Sequence, residues 1–171
     1  MLANKDLIAP SIQALQDDPK ATYEYVIISE GDENKKARDT MSNTMKCYKE
    51  FGKYEDNFDV LRVVVETISG RPVAKSTKLE FLQTKANEYI QADAKLFLKV
   101  ITDQYLSTKV LIKNAVDSGI ILNRDNHYYL TNGNLPLCEA NEESTLYNAA
   151  KFLNTPKHQD VLFAVQAKLK A

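Results

Sequence analysis

Residues 77–137 read TKLEFLQTKANEYIQADAKLFLKVITDQYLSTKVLIKNAVDSGIILNRDNHYYLTNGNLPL, and this stretch decides the fold. Its first part is rich in apolar residues that recur every three or four positions, which is the period of one helix face. Three such faces follow one another: Leu79, Leu82, Ala86, Tyr89 and Ile90; Leu96, Phe97, Val100 and Ile101; and Leu111, Ile112, Ala115 and Val116. The stretch therefore predicts three short amphipathic helices in succession.

Capping residues predict where these three helices begin. Thr77 and Glu80 have the spacing of a capping box, in which both side chains satisfy free backbone N–H groups. Asp93 is placed to cap the second helix, and either Asp103 or Ser107 is placed to open the third.

A β-hairpin is predicted directly after the third helix. Gly119 marks the end of that helix, because glycine tolerates the left-handed conformation found there. Two β-prone runs, residues 120–122 and 127–130, flank Asn123–Asn126, whose side chains favour turns. Asn132-Gly133 marks a second turn. Since a two-stranded ribbon is not stable alone, the hairpin is expected to pack on the helices, as a wing does.

Three helices followed by a packed hairpin are the order of a winged helix-turn-helix. We therefore expect a mainly α protein with a small β component. Its core is winged helix-turn-helix-like, with an N-terminal strand and helix segment and a C-terminal helix pair. Such a module binds DNA through its third helix and wing, or it serves as a docking block in a larger assembly.

The first 56 residues are predicted to form a separate segment. A short helix is expected over residues 11–16, a strand over 23–28 and a turn at 30–32. Residues 32–51 are polar and Lys-rich, which is typical of a solvated helix or of an arm that a partner orders. The thin apolar stripe of this segment consists of Met41, Met45 and Tyr48.

Residues 57–171 are predicted to form a second, mainly helical domain. Outside the opening stretch, its expected helix starts are Asn57, Asn141 or Ser144, and Thr155-Pro156. Gly70 is placed to end the helix that Asn57 begins. The last helix is expected to turn an apolar face inward, formed by Val161, Leu162, Val165 and Leu169.

The charge balance weighs against a nucleic-acid-binding domain. The formal net charge is −1, with −2 over residues 1–75 and +1 over residues 76–171. Affinity for DNA comes mainly from Lys and Arg that neutralise phosphates, and domains that bind DNA alone tend to be markedly basic.

If the module nevertheless binds DNA, its readers lie on the third helix and the wing. The candidates are Lys109, Lys113 and Asn114 on the outer face of the helix, with Arg124 and His127 on the wing. Asn pairs bidentately with adenine, and Lys contacts phosphate or guanine. Asp117 on the same face would repel phosphate. The alternative is that these residues are only the polar face that any amphipathic helix has.

The sequence contains no constellation that is typical of an enzyme. Its two histidines and its two cysteines, Cys47 and Cys138, match no metal or redox spacing. The five glycines are isolated, and no Gly-x-Ser-x-Gly motif is present. We therefore expect no catalytic site, no metal and no cofactor, and we interpret the cysteines as reduced thiols. Neither a signal peptide nor a membrane span is predicted.

Tyrosine is the residue type that favours an interaction role. The chain has nine tyrosines and no tryptophan. Tyrosine is enriched at protein interfaces because it buries a large area and keeps a polar group. Those outside the strongest apolar faces include Tyr23, Tyr25, Tyr48, Tyr54 and Tyr105. The alternative is that they are half-buried residues at the edge of the core.

Residues 78–169, about half of the chain, resemble small proteins of tailed bacteriophages, including those of the crAss-like group. The resemblance rests on Val110–Ile121, Asn126–Leu130, Gly133–Leu137 and Ala149–Gln159. It implies a phage-encoded, non-enzymatic virion component or assembly factor with a winged-helix-like C-terminal block. It carries over no functional residues.

These observations predict a non-enzymatic phage virion or assembly protein that makes protein–protein contacts. Its expected partners are other phage structural proteins or further copies of itself, without a membrane. It would be made in the host cytoplasm and reside in the virion. The alternative is a winged-helix protein that binds duplex DNA.

Overall fold

The computed structural model of the chain describes residues 8–9, 16, 25–26 and 30–171. Within these residues the protein is mainly helical, with seven α-helices, a two-stranded parallel pair and a three-stranded antiparallel sheet. The predicted fold class, mainly α with a small β component, is confirmed. In this described part of the chain, no helix is long and apolar enough to span a membrane.

The chain divides into two compact units, residues 1–43 and residues 44–171. The sequence placed a boundary after Asp56, whereas the structural boundary lies earlier, inside one long helix. The end of that helix belongs to the second unit because Cys47 is fully buried there. The Cys47 thiol also donates a hydrogen bond to the carbonyl oxygen of Ala94 at 2.9 Å.

The first unit contains a small parallel strand pair and the beginning of the long helix. The elements are β1 (Ile8–Ala9), β2 (Tyr25–Val26) and α1 (Glu30–Phe51). The predicted strand is confirmed at Tyr25–Val26, where Ile8 is aligned with Tyr25. The helix expected over residues 11–16 lies outside the described residues apart from Gln16. The turn expected at residues 30–32 is wrong, because α1 begins at Glu30.

The second unit is organised around α2 (Phe58–Ser69), in which every residue from 60 to 66 is buried. Asn57 caps its start as predicted, since the side-chain oxygen accepts a hydrogen bond from the Val60 N–H at 3.1 Å. Gly70 ends it as predicted, with a φ of 66°. A helix that is buried on all sides must satisfy its polar side chains through neighbouring elements rather than through water.

Two of the three predicted helices lie beside α2 as α3 (Leu79–Ala92) and α4 (Ala94–Ile101). Asp93 caps α4 as predicted, accepting a hydrogen bond from the Leu96 N–H at 3.0 Å. The capping box at Thr77 is wrong, because Lys78 precedes α3 and no side chain caps it. The inward position predicted for Leu96 is also wrong, since Leu96 is 43% exposed.

The third predicted helix is α5 (Leu106–Asp117). Neither Asp103 nor Ser107 occupies its cap position, which belongs to Tyr105. The carboxylate of Asp103 instead accepts a hydrogen bond from the Tyr105 N–H at 2.8 Å, in the segment just before the helix. At the other end, Gly119 adopts the predicted left-handed conformation, with a φ of 70°.

The end of α5 is a Schellman motif that turns the chain into the sheet. The N–H of Ile120 donates to the carbonyl of Ala115 at 2.9 Å, and the N–H of Gly119 donates to that of Val116 at 3.0 Å. The two bonds satisfy carbonyls that the helix itself leaves free. The direction of the following strand is therefore determined by local hydrogen bonding.

The predicted hairpin is confirmed, but its turn is shorter than predicted and the sheet has a third strand. Its strands are β3 (Ile121–Arg124), β4 (His127–Leu130) and β5 (Leu135–Pro136), in the order β3-β4-β5. The first turn contains only Asp125 and Asn126, with φ of 51° and 64°, as a type I′ turn requires. Asn123 and Arg124, which were predicted in the turn, belong to β3.

The C-terminal helix pair is confirmed as α6 (Leu146–Asn154) and α7 (Gln159–Lys170), joined by a 3₁₀ turn that starts at Pro156. Thr145 caps α6, so the prediction of Asn141 or Ser144 is wrong. Ser144 is buried instead, and its hydroxyl bonds both the N–H and the carbonyl of Tyr128 at 2.8 Å.

The apolar interior of the second unit lies on both sides of α5. One cluster of buried residues joins the end of α1 with α2, α3 and α4. Another joins α5, the sheet, α6 and α7, with Ile112, Leu137 and Leu153 completely buried. Since α5 contributes to both clusters, it connects the helical half of the unit to the half that contains the sheet.

The two-residue turn of the hairpin predicts opposite effects for glycine at neighbouring positions. Asn126→Gly should raise the free energy of unfolding by about 0.5 kcal/mol, because glycine adopts positive φ without strain. Asn123→Gly should lower it by about 0.5–1 kcal/mol, because glycine weakens a strand. Urea titration of the full chain measures both, and equal effects at the two positions would contradict the type I′ turn.

Candidate functional site: the covered face of the third helix

The residues predicted to read DNA are brought against another helix rather than into solvent. The polar face of α5 packs on α2, while the opposite side packs on α6. Lys113 and Asn114 therefore face side chains of α2 across a helix–helix contact. This contact is the candidate functional site, because it decides which charged groups of the chain remain available to a partner.

Two ion pairs cross the contact between α2 and α5. Arg62 Nη1 lies 2.6 Å from Asp117 Oδ2, and Lys113 Nζ lies 2.8 Å from Glu66 Oε2. Burial opposes the charge on Arg62, but the hydrogen bond to Asp117 outweighs it and raises the pKa of the guanidinium. All four side chains are at most 17% exposed, so little water screens these charges.

The spacing of the four charges determines how the two helices align. Arg62 and Glu66 are one turn apart on α2, and Lys113 and Asp117 are one turn apart on α5. Residue numbers rise along one helix as they fall along the other. A slip of one turn would place Arg62 against Lys113 or Glu66 against Asp117, and like charges repel at this distance. The four residues therefore favour a single register.

Further hydrogen bonds hold the carboxylate of Glu66 in place. Glu66 Oε1 accepts from the N–H of Val73 at 2.8 Å, and Arg62 Nε donates to the carbonyl of Val73 at 3.0 Å. The ammonium of Lys113 is close to Oε2 but not in line for a hydrogen bond with it. Beside these pairs, Asn114 Nδ2 donates to Asp59 Oδ2 at 3.1 Å. The two hydrogen bonds of Val73 therefore tie the segment after α2 to the same contact.

Lys109 lies one turn before Lys113 on α5 and is engaged by the segment that precedes the helix. Only 8% of this residue is exposed, and its ammonium lies 2.5 Å from Asp103 Oδ2. The same nitrogen lies 5.4 Å from the centroid of the Tyr147 ring, which is within the range of a cation–π contact. Burial of Asp103 by itself favours a higher pKa. The hydrogen bonds from Lys109 and from the Tyr105 N–H outweigh this effect, so the pKa of Asp103 is lower than its usual value.

The outward position predicted for Lys109, Lys113 and Asn114 is therefore wrong. A sequence pattern shows which side of a helix is polar, but a polar side can face either water or a second polar helix. On the wing, Arg124 is exposed, and the Nδ1 atom of His127 lies 2.9 Å from the carbonyl oxygen of Asp125. Sequence reasoning missed Arg62, Glu66 and Asp59, which looked like ordinary polar positions of an amphipathic helix.

An open cavity of about 490 Å³ lies next to the ion pairs, between the end of α2, the hairpin turn and the start of α6. Glu66, Lys113 and Tyr128 contribute to its wall. Burial raises the pKa of Tyr128 although the neighbouring Lys113 lowers it, so the phenol stays protonated at neutral pH. The Glu66 carboxylate and the Lys113 ammonium therefore lie together, as an ion pair, in the wall of an open cavity.

Both cysteine thiols have a raised pKa. Burial raises the pKa of Cys47 and of Cys138, so both are protonated at neutral pH. Both are free of disulfides, which fits the interpretation as reduced thiols. Within the part of the chain that the structure describes, no group of His, Cys, Asp and Glu residues has the arrangement of a metal site.

Large apolar side chains are exposed at several places on the second unit. The residues are Met45, Tyr48, Phe81, Leu96, Leu135, Tyr147 and Phe163, with exposed fractions from 41% to 62%. Of the tyrosines singled out in the sequence, Tyr48 is exposed, whereas Tyr54 and Tyr105 are half-buried. Tyr23 lies outside the described residues. The sequence offered no signal for Phe81 or Phe163, because each lies within an otherwise regular helical pattern.

Comparison with known proteins adds no relative. No protein-family model matches the chain, and no curated protein or solved structure matches it significantly.

The buried ion pairs predict a large loss of stability when one partner is removed. Arg62→Met should lower the free energy of unfolding by about 3 kcal/mol, because it leaves Asp117 without its buried counter-charge. Lys53→Met, which removes an exposed pair with Glu50, should cost less than about 1 kcal/mol. Chemical denaturation measures both variants, and similar losses would show that burial does not strengthen the α2–α5 contact.

The pair of Asp103 and Lys109 predicts a stability difference that depends on pH. A lowered carboxylate pKa stabilises the folded state above the ordinary value, about 4, and this stabilisation is lost as pH falls through the folded pKa. The destabilisation caused by Lys109→Met should therefore be largest near neutral pH and shrink in acid. Unfolding curves at a series of pH values test this, and parallel stability profiles for the two proteins would refute it.

Proposed function

We propose that this chain is a non-enzymatic protein of a bacteriophage particle or of its assembly, acting through contacts with other proteins. The observation that carries the proposal is the engagement of the polar face of α5 by α2. Lys113 is paired with Glu66, and Asn114 is bonded to Asp59. Side chains committed in this way are not available to the base edges of a DNA groove.

The exposed apolar side chains support a role in protein–protein contacts. Phe81 is 50% exposed, Tyr147 is 51% exposed and Phe163 is 60% exposed. Aromatic residues are enriched in interfaces because they bury a large area on association. The distribution of these three residues over α3, α6 and α7 fits a protein that is surrounded by neighbours in an assembly.

Membership of a phage particle is supported by the resemblance of residues 78–169 to small proteins of tailed bacteriophages. A virion location and a partner among the other structural proteins of the particle belong to the same proposal. The near-neutral net charge of −1 also fits a protein that is not attracted to nucleic acid by its overall field.

DNA binding through the wing is the competing proposal. Arg124 is exposed at the tip of the hairpin, next to the turn formed by Asp125 and Asn126. One arginine and a nearby histidine would neutralise few phosphates, and Asp125 would repel them. A wing contact alone would therefore give weak binding that depends little on salt.

Two measurements separate the two proposals. Titration of a fluorescent DNA duplex at low salt should give no saturable binding. Mass spectrometry of gradient-purified particles of the encoding phage should detect the chain at a fixed ratio to the major capsid protein. Absence from the particles and from their assembly intermediates would refute the proposed role.

Two variants show which part of the chain is responsible for any DNA binding that the titration detects. If the titration detects binding and the wing is responsible for it, Arg124→Ala should abolish the binding. Lys113→Ala should then leave it unchanged. Binding that is tight, steeply dependent on salt and lost in Lys113→Ala would instead contradict the engagement of α5 by α2.

A further inference from the structure

Helix α7 has one face on the core and one face in solvent. Val165 is 2% exposed on the inner face, whereas Phe163 is 60% exposed on the outer face. The exposed side chains of this outer face are Asp160, Phe163, Ala164, Ala167 and Lys168. The outer face thus carries one large exposed aromatic ring beside two alanines, with one acidic and one basic residue at its borders.

A groove of about 300 Å³ runs between α7 and the sheet, beside this outer face. Its apolar wall is formed by Ile120, Leu130, Val161, Ala164 and Val165. Asp160 and Lys168 also line the groove. The outer face of α7 thus presents a projecting aromatic ring and an apolar recess next to each other.

The charges on this face are self-complementary. Asp160, Ala164 and Lys168 are each four residues apart and therefore lie on one stripe of the helix. Asp160 and Lys168 are about 12 Å apart along the axis, with Ala164 midway. A second α7 laid antiparallel, with the two-fold axis at Ala164, would place each Asp160 opposite a Lys168.

The same arrangement brings the two aromatic rings together. Phe163 lies on one side of the stripe formed by Asp160, Ala164 and Lys168, and the groove, whose wall includes Val165, lies on the other side. A two-fold axis at Ala164 that makes the helices antiparallel places like sides of the two copies next to each other. The two Phe163 rings would therefore meet on one side of the stripe, and the two grooves on the other. Formation of one dimer would remove both aromatic rings from water.

We propose that the outer face of α7 and its groove form a two-fold interface between two copies of this chain. The proposal rests on the proposed function, since it names one of the protein contacts that the function requires. A second copy is favoured over a different protein because the charges complement themselves. Within the part of the chain that the structure describes, neither Asp160 nor Lys168 forms an ion pair.

The test is the association state of the full chain, measured by sedimentation velocity over a range of concentrations at low salt. The unmodified chain should dimerise. Phe163→Asp should raise the dimer dissociation constant about a hundredfold, because a central aromatic anchor is lost. Phe81→Asp, at an exposed ring on α3, should leave dimerisation unchanged. Since both positions are exposed, thermal unfolding should confirm that both variants remain folded.

Charge exchange tests the antiparallel register directly. Asp160→Lys should weaken the dimer about tenfold, because two symmetric attractions become repulsions. The double variant Asp160→Lys/Lys168→Asp should restore the affinity, since each swapped pair is again complementary. A dimer that resists Phe163→Asp, or a double variant that is no tighter than the single one, would overturn the interface.

The result also separates this interface from the proposed function. A chain that stays monomeric at all concentrations but is present in purified particles would refute the two-fold interface alone. A chain that dimerises through α7 but is absent from particles and their intermediates would support the interface and refute the phage role. Binding of the α7 face to a different particle protein in preference to a second copy would also overturn the proposal.

Discussion

The ionic contact between α2 and α5 is the interaction on which the second unit depends. Arg62 and Glu66 meet Asp117 and Lys113 across the contact between these two helices. Taking four charges out of water is costly, and each charge is tolerated there because its counter-charge lies within hydrogen-bonding distance. Apolar packing would hold the helices together in several registers, whereas the alternating charges favour one.

That contact also shapes the surface that the protein offers to others. It engages Lys113 and Asn114, which would be natural readers of DNA on an exposed third helix. What remains outside is nearly neutral in charge and carries exposed aromatic rings such as Phe81 and Phe163. One internal interaction therefore keeps Lys113 and Asn114 engaged within the fold, while large aromatic rings stay in solvent.

Features that depend on neighbouring residues were predictable from the sequence. Asn57 and Asp93 cap the helices that follow them, because an N-cap bond needs only a side chain and a backbone N–H three residues later. Gly119 ends α5 because few other residues adopt its φ of 70°. Features that join distant residues were not predictable. Ser144 resembled a helix cap, yet its hydroxyl bonds the backbone of Tyr128.

The sequence by itself determined the order of the helices and of the hairpin in the second unit, the apolar faces of α3, α5 and α7, and the absence of a recognisable catalytic motif. These follow from periodicity and local hydrogen bonding, which act over a few residues. Only the tertiary structure decided that the polar face of α5 lies against α2 and that Phe163 stays in solvent. Polarity along a helix records which side is hydrophilic, but whether that side meets water or matching charges depends on residues more than forty positions away, such as Arg62 for Asp117.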